Sequence, residues 1–397
     1  MQQKYAAWGR VKSCIRELTA YGSARKAEIG ADKVFDFSIG SPSAPVPAEV
    51  WEAMREALKR PDVHEKTPPE GLPALREAVA RDLSRRYALD FSAQEIQIVT
   101  GAAGGLAVCL NALLSPGSEA VVLAPFFPEY RVFIEGAGGT AAVVPARADM
   151  QPELDALREA VGEKTRLVIV NTPNNPTGAI LSEESLRGIA EILREASERW
   201  GRPVYLISDE PYRELCFDRE SIPCVMTAYE NTLLCYSFSK SLSLPGERVG
   251  YLAVNPALEN RDEVLASLRR AAAALGYSAA PSLMQHALVG CVGMTADVSV
   301  YRENRDLLYA MLTELGFRCV YPEGAFYLFL KSPVEDAKAF SEAAKKQELL
   351  LVPSDDFGVG GYLRLAYCVP TETIRRSRRA FEALAKEFGL GEGDGAC

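Results

Sequence analysis

The chain of 397 residues is 48% hydrophobic and 24% charged, as ordinary globular proteins are, and it exceeds the length at which one core stops growing. Its net charge of -9 without a basic stripe argues against nucleic acid as a partner; no apolar run reaches membrane-spanning length, and Met1 to Lys12 lacks the apolar core of a signal peptide. Nine dispersed cysteines with no CxxC pair, and two histidines, His64 and His286, argue against disulfides and metal centres, so a cytoplasmic protein with no metal and no membrane association is expected.

Apolar positions at helical spacing (Ile15, Leu18, Ala20, Tyr21) predict a helix within Lys4 to Ile29, followed by a short strand, Val34 to Ile39, that stops at Gly40-Ser41-Pro42. Pro47 opens a helix to about Arg60, and a second helix runs from about Leu72 to Tyr87, with the loop Pro61 to Gly71 between them. From Glu95 short strands alternate with helices: strands Ile96 to Thr100, Ala120 to Leu123, Thr140 to Val144, Arg166 to Val170 and Val204 to Ser208, and helices Gly104 to Leu114, Tyr130 to Glu135, Glu153 to Val161 and Glu183 to Trp200. Continuously apolar strands separated by helices predict an α/β fold, a mostly parallel sheet covered on both faces, with ligands at the carboxyl ends of its strands.

Two further apolar runs, Thr232 to Tyr236 and the one ending at Val254, enclose Ser237-Phe238-Ser239-Lys240 and Arg248. Helices are then expected at Asn260 to Leu275, Pro281 to Val292 and Tyr301 to Leu315. An α+β unit follows: strands Arg318 to Tyr321 and Phe326 to Leu330, helix Val334 to Gln347, strands Leu349 to Val352 and Tyr362 to Ala366, and helix Thr371 to Phe388. The expected division is an N-terminal arm with part of a small domain (1–45), a large cofactor-binding domain (46–285) and a small C-terminal domain (286–397). Only the tail, Gly391 to Cys397, is expected to lack order.

A lysine at the rim of a sheet is partly desolvated, which lowers its pKa and frees the amine as a nucleophile toward a carbonyl. Ser237, Ser239 and Arg248 lie within eight residues of Lys240 and suit a phosphate dianion, so lysine and phosphate site together point to pyridoxal phosphate. Taken alone, the same stretch also reads as a surface turn. Three other strand ends bear on the question. Gly101-Ala102-Ala103-Gly104-Gly105 offers backbone N–H groups to an anion at a helix start, and the alternative is plain turn geometry. Asn175, in Asn171-Thr172-Pro173-Asn174-Asn175-Pro176, and Tyr212, in Asp209-Glu210-Pro211-Tyr212, suit donation to a phenolate, and Asp209 suits a protonated pyridine nitrogen; singly, both motifs are also turn chemistry.

In this order, ahead of Lys240 and Arg248, these motifs resemble the class I and II aminotransferases, fold-type-I pyridoxal phosphate enzymes of the aspartate aminotransferase kind, from about Gly40 to Arg364. The resemblance implies that Lys240 bonds to the cofactor and moves the substrate's proton, that Asp209 faces the pyridine nitrogen, and that Asn175 and Tyr212 donate to the ring oxygen. It assigns the phosphate to Ser237, Ser239, Arg248 and the Gly101, Ala102 and Ala103 backbone, the ring face to Phe127, and support of Asp209 to Tyr130. Arg364 would grip the substrate α-carboxylate, with Gly40 lining the same pocket. One position departs from the pattern: Lys66 stands where the family commonly has a tyrosine that reaches the phosphate of the neighbouring subunit.

The expectation is therefore a homodimeric aminotransferase exchanging an amino group between an α-amino acid and a 2-oxo acid. A β-lyase or other α-carbon chemistry would use the same residues. A sensor domain is the alternative outside catalysis, but too few residues precede Gly40 for the helix-turn-helix unit that such regulators carry. No second cation for a dicarboxylic substrate is identifiable from spacing.

Overall fold

The computed structural model describes residues 3–10, 13–277 and 279–391; the expectation for the tail falls, from residue 392 onward, outside the described residues. The larger sheet has seven strands in the spatial order Ile96–Val99, Gly250–Val254, Thr232–Ser237, Tyr205–Asp209, Thr165–Asn171, Glu119–Leu123 and Thr140–Val144. Its pairings are parallel except for Gly250–Val254, which runs antiparallel to both neighbours. That strand follows Thr232–Ser237 through a connection that folds straight back, with the Phe238 N–H donating to the Val249 carbonyl at 3.1 Å. The fold is α/β, as the strand pattern implies.

Side chains of the central strands alternate between two cores, as the period of two requires. Ile207, Leu233 and Cys235 pack with Leu106, Cys109 and Leu110 of helix Gly101–Leu113 on one face. Leu206, Val168 and Val170 pack with Ile189 and Leu193 of helix Glu183–Trp200 on the other. Both faces are dry, which is why these strands read as unbroken apolar runs.

The smaller sheet is antiparallel, in the order Val352–Pro353, Tyr362–Ala366, Tyr327–Lys331, Cys319–Val320. Its core, with Leu328, Leu330, Leu363 and Leu365, takes in Leu308 and Leu312 of helix Ser299–Glu314 and Phe381 and Leu384 of helix Thr371–Glu387. Phe37, Tyr212, Leu215 and Phe217 join the same core, so a segment ahead of the large sheet and a loop between two of its strands pack against the small one. No helix among the described residues is long and apolar enough to cross a membrane.

Several boundaries differ from the sequence reading. The N-terminal helix is two pieces, Gln3–Trp8 and Cys14–Ile29. The strand expected over Val34 to Ile39 is only Phe35–Asp36, because its partner offers two residues, Leu349–Leu350. The run Leu349 to Val352 splits for the same reason: after Leu350 the chain changes partner, and Val352–Pro353 pairs with Tyr362–Ala366. Helix Gly101–Leu113 begins three residues early, taking the glycine-rich stretch as its first turn. The helix after Val334 starts at Ala337, where Asp336 caps it by accepting from the Lys338 and Ala339 N–H groups at 2.9 and 3.1 Å.

Candidate active site

Asn171, Asp209 and Ser237 close three adjacent parallel strands, and the loops leaving them form one side of a chamber of about 280 Å³. This is the crevice at strand carboxyl ends where α/β sheets hold ligands. The loops are tied together. Asn171 Nδ2 donates to the Asp209 carbonyl at 2.8 Å, and Asn171 Oδ1 accepts from the Asn175 N–H at 2.7 Å.

Ser237 ends its strand and caps the short helix Phe238–Ser241, its hydroxyl accepting from the Ser239 N–H at 3.2 Å, and this turn holds Lys240 at the chamber wall. Lys240 Nζ donates to the Gly40 carbonyl at 2.8 Å and lies 5.3 Å from the Phe326 ring centre. Among the described residues it makes no ion pair with a carboxylate. Burial lowers its pKa to about 8; the nearby Arg364 and Arg248 act in the same direction and Cys368 opposes them. At about 8 the group is still mostly ammonium at neutral pH, but a far larger fraction is free amine than for a solvated lysine.

Asp209 is buried, and one oxygen accepts from the Tyr130 hydroxyl at 2.5 Å. The other oxygen, Oδ1, is buried without a hydrogen-bond partner among the described residues. Burial pushes the carboxyl up to about 7, with Glu210 adding to the rise and the Tyr130 bond opposing it. An acceptor left unmatched in a dry site costs roughly 1–3 kcal/mol, so this carboxylate is suited to a cationic N–H group from outside the chain.

A third group of residues suits an anion. The first turn of helix Gly101–Leu113 presents its N–H groups beside Ser237 and Ser239, whose hydroxyls lie 2.8 Å apart, and Arg248 Nη1 donates to Ser239 Oγ at 3.3 Å from the exposed rim. Gly101 has φ +74°, and a Cβ there would sit 2.9 Å from Arg248 Nη2, so only glycine leaves the cradle open.

Across the chamber stands Arg364, in the middle of strand Tyr362–Ala366 and buried. Nη2 donates to the Ser38 carbonyl at 2.7 Å and Nη1 to Asn175 Oδ1 at 3.2 Å, while Nε is buried with no partner among the described residues. Its guanidinium lies 4.7 Å from the Tyr327 ring centre and 5.3 Å from that of Phe357. Tyr212 shares a 2.9 Å hydrogen bond with Tyr327, and a Cβ at Gly40 would overlap the Tyr327 hydroxyl.

Gly40, Ala102, Ala103, Phe127, Asn175, Asp209, Tyr212, Lys240 and Arg364 therefore line one space, as the sequence reading grouped them. Gly101, Ser237, Ser239 and Arg248 form its anion-binding edge. Lys66 does not join them within its own chain: it lies exposed in the loop after helix Ala48–Leu58. Five lining residues were not assigned to the site from the sequence: Ile15, Leu106, Asn171, Pro211 and Tyr327. Asn171 closes the strand Thr165–Asn171, a signal available in the sequence; Ile15 and Tyr327 arrive only through tertiary packing.

A sequence profile described as aminotransferase class I and II matches residues 32–381. The chain belongs to this family. Within it, the aspartate/prephenate aminotransferase of Thermus thermophilus is 31% identical over 391 residues, covering 96% of this chain and 98% of that protein. The aspartate aminotransferase of Thermotoga maritima is also 31% identical, over 349 residues, with 86% and 89% covered. Among solved structures, an aminotransferase from Eubacterium rectale superposes with a TM-score of 0.95 at 43% identity, covering 98% of this chain and 99% of that one. The Thermus thermophilus aspartate aminotransferase with maleate gives 0.86 at 26% identity, with 97% and 99% covered. Members of this family use pyridoxal phosphate, and the unmatched Asp209 oxygen, the Gly101 cradle and the uncompensated Lys240 fit a group with a cationic ring nitrogen, a phosphate and an aldehyde.

Proposed function

We propose that this chamber binds pyridoxal 5'-phosphate and exchanges an amino group between an α-amino acid and a 2-oxo acid. The observation that carries the reading is the pairing, on one chamber, of a half-satisfied buried carboxylate, Asp209, with a half-buried lysine whose pKa is lowered to about 8. When bound, the cofactor would supply an electron-accepting ring that stabilises negative charge at a substrate α-carbon.

The chain's own residues would hold and direct it. Asp209 Oδ1 would accept from the ring nitrogen, with Tyr130 keeping the other carboxylate oxygen in place. Asn175 and Tyr212 would donate to the ring oxygen, Phe127 would cover the ring face, and Ser237, Ser239, Arg248 and the Gly101–Ala103 backbone would take the phosphate. The lining Asn171 braces Asn175 from behind. Arg364 would offer a planar fork to the substrate α-carboxylate, orienting the bond to be broken. Lys240 Nζ, which makes no ion pair among the described residues, would take the α-proton and return it at the other end of the reaction.

The protein is further proposed to act as a cytoplasmic homodimer in which Lys66 of one copy reaches the phosphate held by the other, a reading supported by its exposure in a loop. The test of the whole reading is reconstitution with pyridoxal phosphate, borohydride reduction and peptide mapping, followed by analysis of oxo-acid products. Label on a lysine other than Lys240 sinks the site assignment; ammonia release without an oxo-acid acceptor favours the lyase chemistry instead.

A further inference from the structure

Tyr327 lines the chamber and is buried, yet the transaminase reading gives it no part. It stands on the four-stranded sheet, and its hydroxyl lies 2.9 Å from that of Tyr212, which the loop after Asp209 carries from the seven-stranded sheet. The two rings meet edge to face with centres 5.6 Å apart, and the Arg364 guanidinium lies 4.7 Å from the centre of the Tyr327 ring. Backbone bonds fix this meeting. The Ala325 N–H donates to the Leu215 carbonyl at 2.8 Å and the Phe217 N–H to the Glu323 carbonyl at 3.1 Å, so the chain just after Tyr212 is laced to the chain just before Tyr327. Gly40 passes so close that a Cβ there would overlap the Tyr327 hydroxyl.

A tyrosine hydroxyl has one proton to donate and two lone pairs that accept. Between two phenols alone the bond runs in either direction. The ring oxygen that Tyr212 is proposed to meet is an acceptor, so the Tyr212 proton must point to it, and the bond to Tyr327 then survives only if Tyr327 donates. On its other side the Tyr327 ring face attracts the guanidinium and so restricts Arg364 before any ligand arrives. Resting on the transaminase reading, we infer that Tyr327 is a positioning residue for both halves of the site: its hydroxyl, by donating to Tyr212, directs the Tyr212 proton to the ring oxygen, and its ring holds the Arg364 guanidinium ready for the substrate carboxylate. It acts through these two neighbours and needs no contact of its own with the reacting atoms.

The experiment compares holoenzymes of the wild type, Tyr212→Phe, Tyr327→Phe and Tyr327→Leu by two readouts that need no turnover: the pH at which absorbance of the bound cofactor titrates, and calorimetric binding of maleate and 4-methylpentanoate as carboxylate probes. Donation to the ring oxygen favours its anionic form and so lowers that pH. Tyr327→Phe keeps the ring and loses the hydroxyl; it should raise the titration by about half a unit, in the same direction as Tyr212→Phe and by less, as loosening one hydrogen bond implies. Its carboxylate affinity should stay within about twofold of wild type, whereas Tyr327→Leu, which also removes the ring, should bind carboxylate about fivefold more weakly. The other charged or titratable groups that face the pair among the described residues, Arg364, Cys368, Asp209 and Lys240, are the same in all four proteins, so the first comparison isolates the hydroxyl. A role confined to packing would leave the titration of Tyr327→Phe at the wild-type pH. That result, with Tyr212→Phe shifted, overturns the inference and leaves the transaminase reading intact, as does undiminished carboxylate affinity in Tyr327→Leu. An unshifted Tyr212→Phe, or a wild type that binds neither carboxylate, overturns the site assignments of the transaminase reading and the inference with them.

Discussion

On the seven-stranded sheet Asn171, Asp209 and Ser237 each close a parallel strand, while on the four-stranded sheet Arg364 and Tyr327 stand inside antiparallel strands. The first set hangs on loops whose mutual hydrogen bonds, Asn171 to Asp209 and Asn171 to Asn175, hold them at one rim. The second set is held by register. Tyr327 pairs with Ala366, so Arg364, two residues from Ala366, is its diagonal neighbour on the same face, and the ring and guanidinium meet at 4.7 Å. One side of the chamber is built from ends that loops can re-aim; the other is a rigid surface that can only be moved as a sheet. Residues proposed to hold the cofactor lie on the first, and those proposed to hold the substrate carboxylate lie on the second.

If that division is right, substitutions on the two sides should fail differently. Lys240→Ala should remove both the borohydride-reducible label and about 10⁴-fold of the transamination rate, checked by peptide mapping and single-turnover kinetics. Retention of most of the rate would mean that another group moves the proton. Asp209→Ala should lower kcat by about a thousandfold and weaken cofactor retention, because a buried charge partner is lost, with little change in the KM for amino acids.

Arg364→Ala should do the reverse. The KM for amino and oxo acids should rise together by about 100-fold, the value of a charge-assisted fork, with cofactor content unchanged by absorbance. Loss of cofactor with normal substrate binding would erase the distinction between the two sides. The pH dependence of reconstitution tests the environment of Lys240. Attachment of pyridoxal phosphate requires the free amine, and burial lowers this lysine from the usual 10.5 to about 8, so the rate should rise as pH rises toward about 8 and then level off. A rate that climbs unbroken to about 10.5 would show a solvated lysine. The smallest effect belongs to Lys66: Lys66→Ala should raise the dissociation constant of the cofactor about fivefold, and Lys66→Tyr should restore most of it, as expected for one exposed charge-assisted bond. Equal constants for all three proteins would remove Lys66 from the site.

Much of the side proposed to hold the cofactor was legible in the sequence, because strand ends carry punctuation. Gly101, Asn175 with its flanking prolines, Asp209-Glu210-Pro211 and Ser237 to Lys240 each follow an apolar run, and turn residues at such places announce where a parallel sheet opens. Arg364 was found by its motif and the family resemblance, since nothing in an alternating strand marks which residue faces a ligand. The sequence also set the α/β class, through runs that are apolar on both faces of the sheet.

What only the tertiary structure decided is how distant segments complete the chamber. Ile15, Ser38 and Gly40 come from the N-terminal stretch and Tyr327 from the second sheet, and no local pattern records their meeting. The strand lengths at Phe35–Asp36 and Leu349–Leu350 depended on each other in the same way. The shift of Lys240 to about 8 and of Asp209 to about 7 arises from burial by residues far along the chain, which is a property of the packed molecule and of no segment within it.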